Sequence, residues 1–236
     1  MPTVGLARSD EQELLDEPAL HGRHLPGTLA DLRRINRWLG GTRLTLAALE
    51  SLVGDRPLDP PLAVLDVGTG GGDIPLAVAH WAERRGRPIR VVATDAAPEI
   101  LQIAAAGAQP GVEFGLADAR RLPFGDDSFD VALCSLLVHH FPPDEAVTVL
   151  SEMSRVSRIG IVVNDLVRGR LGHAGAWAVG HLLTANPITR HDAPVSARRA
   201  YKREDLRELG QLAELRDLRM RGWLGYRVAM TGRSGS

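Results

Sequence analysis

The stretch that decides the fold runs Leu65-Asp66-Val67-Gly68-Thr69-Gly70-Gly71-Gly72-Asp73-Ile74. An apolar run, Ala63-Val64-Leu65, arrives at an acid, passes through a glycine turn and opens a segment with helical spacing. Glycine suits such a turn because it tolerates φ > 0 and leaves no side chain between backbone and ligand. A lone Gly-x-Gly says little. Placed where a buried strand gives way to a helix, it marks a site where backbone approaches a bound molecule.

Working outward, apolar runs alternate with helical stretches. Strands are expected at Ala63–Val67, Ile89–Ala93, Val112–Leu116, Phe129–Leu136 and Ile159–Val163. Helices are expected at Ile74–Arg84, Pro98–Ala106 and Asp144–Val156. Strict β/α alternation with short loops specifies a parallel sheet with helices on both faces. Right-handed crossovers then bring ligands to the carboxyl ends of the strands. Three strands end on acids at that edge. Asp66 stands at the end of the first and Asp95 ends the second, a spacing at which a carboxylate can accept ribose hydroxyls. Asp118 follows the third.

Residues 10–54 read as helices. Thr28 and Asp31 suggest a capping box ahead of Leu29, Leu32, Ile35 and Leu39, with Gly40-Gly41 as the stop. Thr42 is expected to cap a second helix that stops at Gly54. After Asp165 the alternation pauses for a helix rich in Gly and Ala, then a loop from Asn186-Pro187 to Pro194. A helix at Arg203–Leu212 and two strands, Asp217–Arg221 and Trp223–Thr231, close the chain. Residues 1–9 and the tail from Gly232 read as frayed ends. The domain reading is an N-terminal helical cap at 10–55 and a main domain at 56–236, with a lid insertion at about 166–201.

Bulk properties narrow the partners. The net charge is -1 at pH 7, so no global field draws the chain to polyanions. The acids Asp10, Glu11, Glu13, Asp16 and Glu17 follow the start at once, unlike a secretory leader. No apolar run approaches the ~20 residues of a membrane span, and a cytoplasmic protein is expected. The single cysteine, Cys134, excludes an internal disulfide and reads as a small core residue.

Asp66-Val67-Gly68-Thr69-Gly70-Gly71-Gly72 resembles the first motif of class I S-adenosylmethionine-dependent methyltransferases. Asp95 matches that family's ribose-binding acid, Asp118-Ala119 its adenine position, and Phe129 to Ser135 its fourth-strand motif. The resemblance covers roughly residues 60–165. It implies a Rossmann-like, doubly wound, seven-stranded α/β sheet and S-adenosyl-L-methionine as cofactor. Cofactor contacts would come from Asp66, Gly68, Thr69, Gly70, Gly72, Asp95, Ala96, Asp118, Ala119 and Ser135, with Asp66 and Gly68 near the methionine portion. The chain is similar to ubiquinone- and menaquinone-type methyltransferases and to those that accompany polyketide pathways.

Methyl transfer to a hydroxyl, or to carbon, of a small hydrophobic phenolic or polyketide-type acceptor is therefore expected. His139 and His140 follow the fourth strand, and a neutral imidazole there is a candidate base for a phenol. Arg37, Trp38, His173, Trp177, His181 and His191 are the candidate acceptor contacts. His173, Trp177 and His181 share a helix face, Trp177 with core packing as its other role. His173 and His181 lie ~12 Å apart, too far to share an ion, and no metal is expected. Neither nucleic acid nor membrane is an expected partner, and a homodimer is allowed. The rivals are a SAM-binding protein without methyl transfer (a cyclase or partner subunit), a nicotinamide oxidoreductase and an RNA methyltransferase. The second is disfavoured because Asp73 stands where the dinucleotide fingerprint has glycine, a poor neighbour for pyrophosphate. The third lacks a basic surface.

Overall fold

The computed structural model describes residues 7–17, 19, 22–54, 60–182 and 184–235. Seven strands form one sheet: β1 (Leu62–Val67), β2 (Ile89–Asp95), β3 (Val112–Leu116), β4 (Phe129–Ser135), β5 (Ser157–Leu166), β6 (Arg216–Trp223) and β7 (Arg227–Arg233). Their order is β3-β2-β1-β4-β5-β7-β6. β1 to β5 pair in parallel, and β7 runs antiparallel between β5 and β6. The strand order reverses between β1 and β4, which is where open α/β sheets bind ligands.

The helices are α1 (Leu25–Trp38), α2 (Gly41–Val53), α3 (Asp73–Glu83), α4 (Pro98–Ala105), α5 (Pro143–Arg155), α6 (Arg170–Leu182), α7 (Pro187–Arg199) and α8 (Arg203–Leu212). One face of the sheet buries Leu49 of α2 with Ile74, Val78 and Trp81 of α3 against Val64, Val91 and Leu133. The other buries Val149, Leu150 and Met153 of α5 with Leu206 and Leu209 of α8 against Leu65, Ala132 and Ile161. Central strands covered on both faces read as continuous apolar runs, which is why they were legible. Buried Asn164 on β5 fastens α2 by donating to Gly41 O (2.8 Å) and Thr45 Oγ1 (2.7 Å).

Five local expectations are corrected. α1 starts at Leu25, ahead of Thr28, whose hydroxyl donates to His24 O from inside the helix. α2 is entered through Gly40 in the left-handed region, and Thr42 makes no cap. The expected loop at 186–194 is the start of α7. Asn186 accepts from Ile188 N–H as its N-cap and Pro187 occupies the first turn, where proline's missing N–H is harmless. The tail is ordered as far as Arg233, with Ile161 opposite Gly232, and Arg8 is pinned to the body near the other end. The β6–β7 turn falls at residues 224–226, so Trp223, expected to open the second strand, ends the first. Residues 1–6 of the expected frayed start lie outside the described residues.

Candidate active site

The carboxyl ends of β1 and β4 lie side by side, with Val67 opposite Cys134. Gly68, Gly70 and Gly72 take φ of 67°, 52° and 76°, a region that penalises a Cβ. A Cβ on Gly68 would also stand 2.6 Å from Leu137. One on Gly70 would meet nothing within 4 Å, so that face of the turn borders open space. Gly70 N–H donates to Asp95 Oδ2 (2.9 Å), and Ala97 N–H donates to Asp95 Oδ1 (3.1 Å). The acid ending β2 thus holds the glycine turn in place.

Asp66 is 1% exposed, and burial, reinforced by the charges of Asp73 and Asp95, pushes its carboxyl up to about 8 against relief from nearby Thr69. Asp66 Oδ2, Thr69 Oγ1 and Ser135 Oγ are buried without a hydrogen-bond partner. Buried polar atoms are rarely left unpaired, so three at this edge point to a ligand that completes them. Asp118 is exposed and held by Arg120 (2.8 Å), which keeps its carboxyl below the usual range. Ala119 beside it is buried.

Helix α1 clamps the turn. Arg33 Nε donates to Gly71 O (2.9 Å), and Asn36 Nδ2 donates to Asp73 Oδ2 (3.0 Å). Asn36 Oδ1 in turn accepts from buried Arg227 (2.7 Å). Asp73 therefore points at α1 and not at a ligand. The charge argument against pyrophosphate passes from Asp73 to Asp66, the acid left unpartnered.

Beyond this edge lies a largely apolar cavity of about 320 Å³. Leu32, Ile35 and Leu39 of α1 form one wall, and Gly172, Gly175, Ala176 and Val179 of α6 another. The expected acceptor contacts are not on it. Trp177 is 52% exposed and stacks on His181 at 4.6 Å, Trp38 is 76% exposed beside Arg37, and His173 and His191 also miss the lining. His191 Nδ1 instead meets Asp192 at 2.9 Å. Helix α6 turns its small residues inward because their missing volume is the cavity, leaving the aromatic face outside. The core role considered for Trp177 fails with it.

One end of the cavity is polar. His139 Nδ1 lies 2.6 Å from Asp165 Oδ1, and its Nε2 lies 3.4 Å from Glu13 Oε1. His140 Nδ1 lies 2.8 Å from Asp16, and its Nε2 lies 3.9 Å from Glu13 Oε2. Glu13 arrives on a strap fixed at several points. Arg8 donates to His139 O and Phe141 O, while Leu14 and Leu15 N–H donate to Asp192. Burial opposes charge on His139, but Asp165 and Glu13 overcome it and push the imidazole up to about 10. Burial likewise opposes charge on Glu13, yet His140 and His139 hold it down at about 2. Asp165 and Glu13 thus face the two ring nitrogens of His139 from opposite sides. Glu13, Asp165, Arg33 and Arg227 were not anticipated. Each needed a tertiary neighbour to gain meaning, though a buried acid one residue before a strand end, Asp165, was a visible signal.

A family model described as a methyltransferase domain matches residues 64–160. The match takes in Asp66, the glycine turn, Asp95, Asp118 and both histidines. An uncharacterised methyltransferase of Bacillus subtilis is 35% identical over 97 residues, covering 39% of this chain and 35% of the relative. A demethylmenaquinone methyltransferase of Deinococcus radiodurans is 34% identical over 99 residues, covering 41% and 39%. The chain spans less than two thirds of the length of the curated relatives it matches. Human N-acetylserotonin methyltransferase, solved in complex with SAM, superposes with a TM-score of 0.67 over 95% of this chain and 60% of that one, at 16% identity. That likeness shows the fold: a Rossmann-like methyltransferase sheet. Among the described residues no helix is long and apolar enough to cross a membrane.

Proposed function

We propose that the chain binds S-adenosyl-L-methionine at the glycine turn and methylates a small hydrophobic acceptor held in the adjoining cavity. Asp66 Oδ2, buried without a hydrogen-bond partner, carries the reading. It sits beside a turn open at Gly70, at the strand order's reversal, where a ligand ammonium would supply the missing partner and favour the ionised carboxylate, its proton passing to solvent. Thr69 and Ser135 offer further unpaired hydroxyls, Asp95 the ribose position, and Asp118 with Ala119 the adenine position. When bound, the cofactor supplies an electrophilic methyl group on a sulfonium.

The acceptor we favour is phenolic or polyketide-derived, methylated on oxygen, with carbon as the variant. The apolar walls exclude water from its body, and the Glu13–His139–His140 end is where a hydroxyl finds polar partners. Positioning at ~3–3.5 Å from the methyl is what such an enclosed cavity contributes to catalysis. Likeness to quinone-pathway relatives supports this class of acceptor without carrying it. Calorimetry with S-adenosylhomocysteine and with NADH tests the reading. Binding of the nucleoside thioether alone is expected, and preferential binding of NADH would sink it.

A further inference from the structure

We propose that Glu13, His139 and His140 form a site for a divalent transition-metal ion whose open positions face the apolar cavity. One donor atom from each residue lies within 4.8 Å of the other two, and all three residues line the cavity. Two imidazoles and one carboxylate suit Zn²⁺, Fe²⁺ or Mn²⁺, and three protein ligands leave positions for an exogenous donor.

The surroundings are those of a metal site. Nδ1 of His139 is bonded to Asp165 (2.6 Å) and Nδ1 of His140 to Asp16 (2.8 Å). A carboxylate behind each ring fixes its tautomer and leaves Nε2 as the free donor, as outer ligands of metal-bound histidines do. Both Nε2 atoms then approach the same carboxylate, at 3.4 Å and 3.9 Å. Two donors ~2.1 Å from a tetrahedral ion stand roughly 3.4 Å apart. His139 Nε2 and Glu13 Oε1 are moreover buried with no hydrogen-bond partner, and an ion between them would satisfy both.

The ring centroids lie 4.4 Å apart with the planes tilted by 34°, and both Nε2 atoms face the same carboxylate. Arg199 competes weakly for Glu13, at 3.8 Å, because its own close partner is Asp16 at 2.9 Å. An ion here would take an oxygen donor from the cavity's occupant and polarise it. The assignment goes beyond methyl-donor binding and does not depend on it.

The test uses the full chain, stripped with chelator and dialysed against Zn²⁺ or Mn²⁺, with bound metal counted by mass spectrometry. Co²⁺ substitution adds a visible d–d spectrum. Close to one ion per chain is expected, lost in His139→Gln and in Glu13→Gln, and weakened about 10–100-fold in Asp165→Asn. Circular dichroism checks that each variant folds, and the wild-type stoichiometry and spectrum stand whether or not it does. No bound ion and no Co²⁺ band in the wild type would overturn the proposal, as would equal binding by all variants. Calorimetry with S-adenosylhomocysteine on the same stripped protein reads the donor site separately.

Discussion

The glycine edge of the sheet and the polar corner of the cavity are built in opposite ways. The glycine edge is local. Asp66, Gly68, Gly70 and Gly72 lie within seven residues, and Asp95 is reached by one crossover. The polar corner is assembled from afar: Glu13 comes from the N-terminal strap, His139 and His140 from beyond β4, and Asp165 from β5. The first is a backbone device, in which glycine conformations shape a cradle around one unpaired carboxyl. The second is a charge device, in which three buried or half-buried carboxylates surround two rings. A turn can be specified by the residues that form it. A charge cluster can be specified only by the fold that closes on it.

The largest break in this contrast is expected at the corner. Asp165→Ala leaves the His139 ring without the carboxylate that holds it and strands two backbone N–H donors, on His139 and Leu166. Removing one member of a buried pair costs about 3–5 kcal/mol, to be read from urea unfolding. At the glycine edge, Gly68→Val forces a branched side chain into φ 67° and into Leu137. A loss of about 2–4 kcal/mol is expected, together with loss of S-adenosylhomocysteine binding. Wild-type affinity in that variant would show that the turn is not the cradle.

Two changes on neighbouring residues of α6 separate cavity wall from outer face. Ala176→Phe fills the cavity and should abolish turnover of a phenolic acceptor while nucleoside affinity stays within about twofold. Trp177→Ala, on the exposed face, should shift stability by no more than about 0.5 kcal/mol and leave turnover intact. The reverse outcome would restore the aromatic face as the acceptor's contact.

This pair also shows what sequence could carry. The sheet was legible because buried parallel strands read as apolar runs, and Asp66, Asp95 and Asp118 were legible because register put them at one edge. Spacing also put His173, Trp177 and His181 on one face, correctly, but spacing does not say which face turns inward. Small residues decided that, since a cavity is walled by what is missing. Asn186-Pro187 was read by its turn chemistry when it caps a helix. Asp73 was read for its charge toward a ligand, and Asn36 from a distant helix claimed it. Glu13 carried no local signal, because its partners are more than a hundred residues away.

The central claim, that Asp66 awaits a cationic ligand, is open to a proton count. Its carboxyl stands near 8 in the free protein, above the ordinary 3.8, so ionisation costs folding stability as pH rises from about 4 to 8. The stability gained by Asp66→Asn should accordingly grow across that window. A ligand ammonium reverses the shift, so binding near pH 7 must release Asp66's proton, and affinity must fall as pH drops below 7. Calorimetry of S-adenosylhomocysteine binding in buffers of different ionisation enthalpy measures that release directly. Close to one proton released by the wild type and none by Asp66→Asn is the expected result; equal release by both, or none by either, would contradict it.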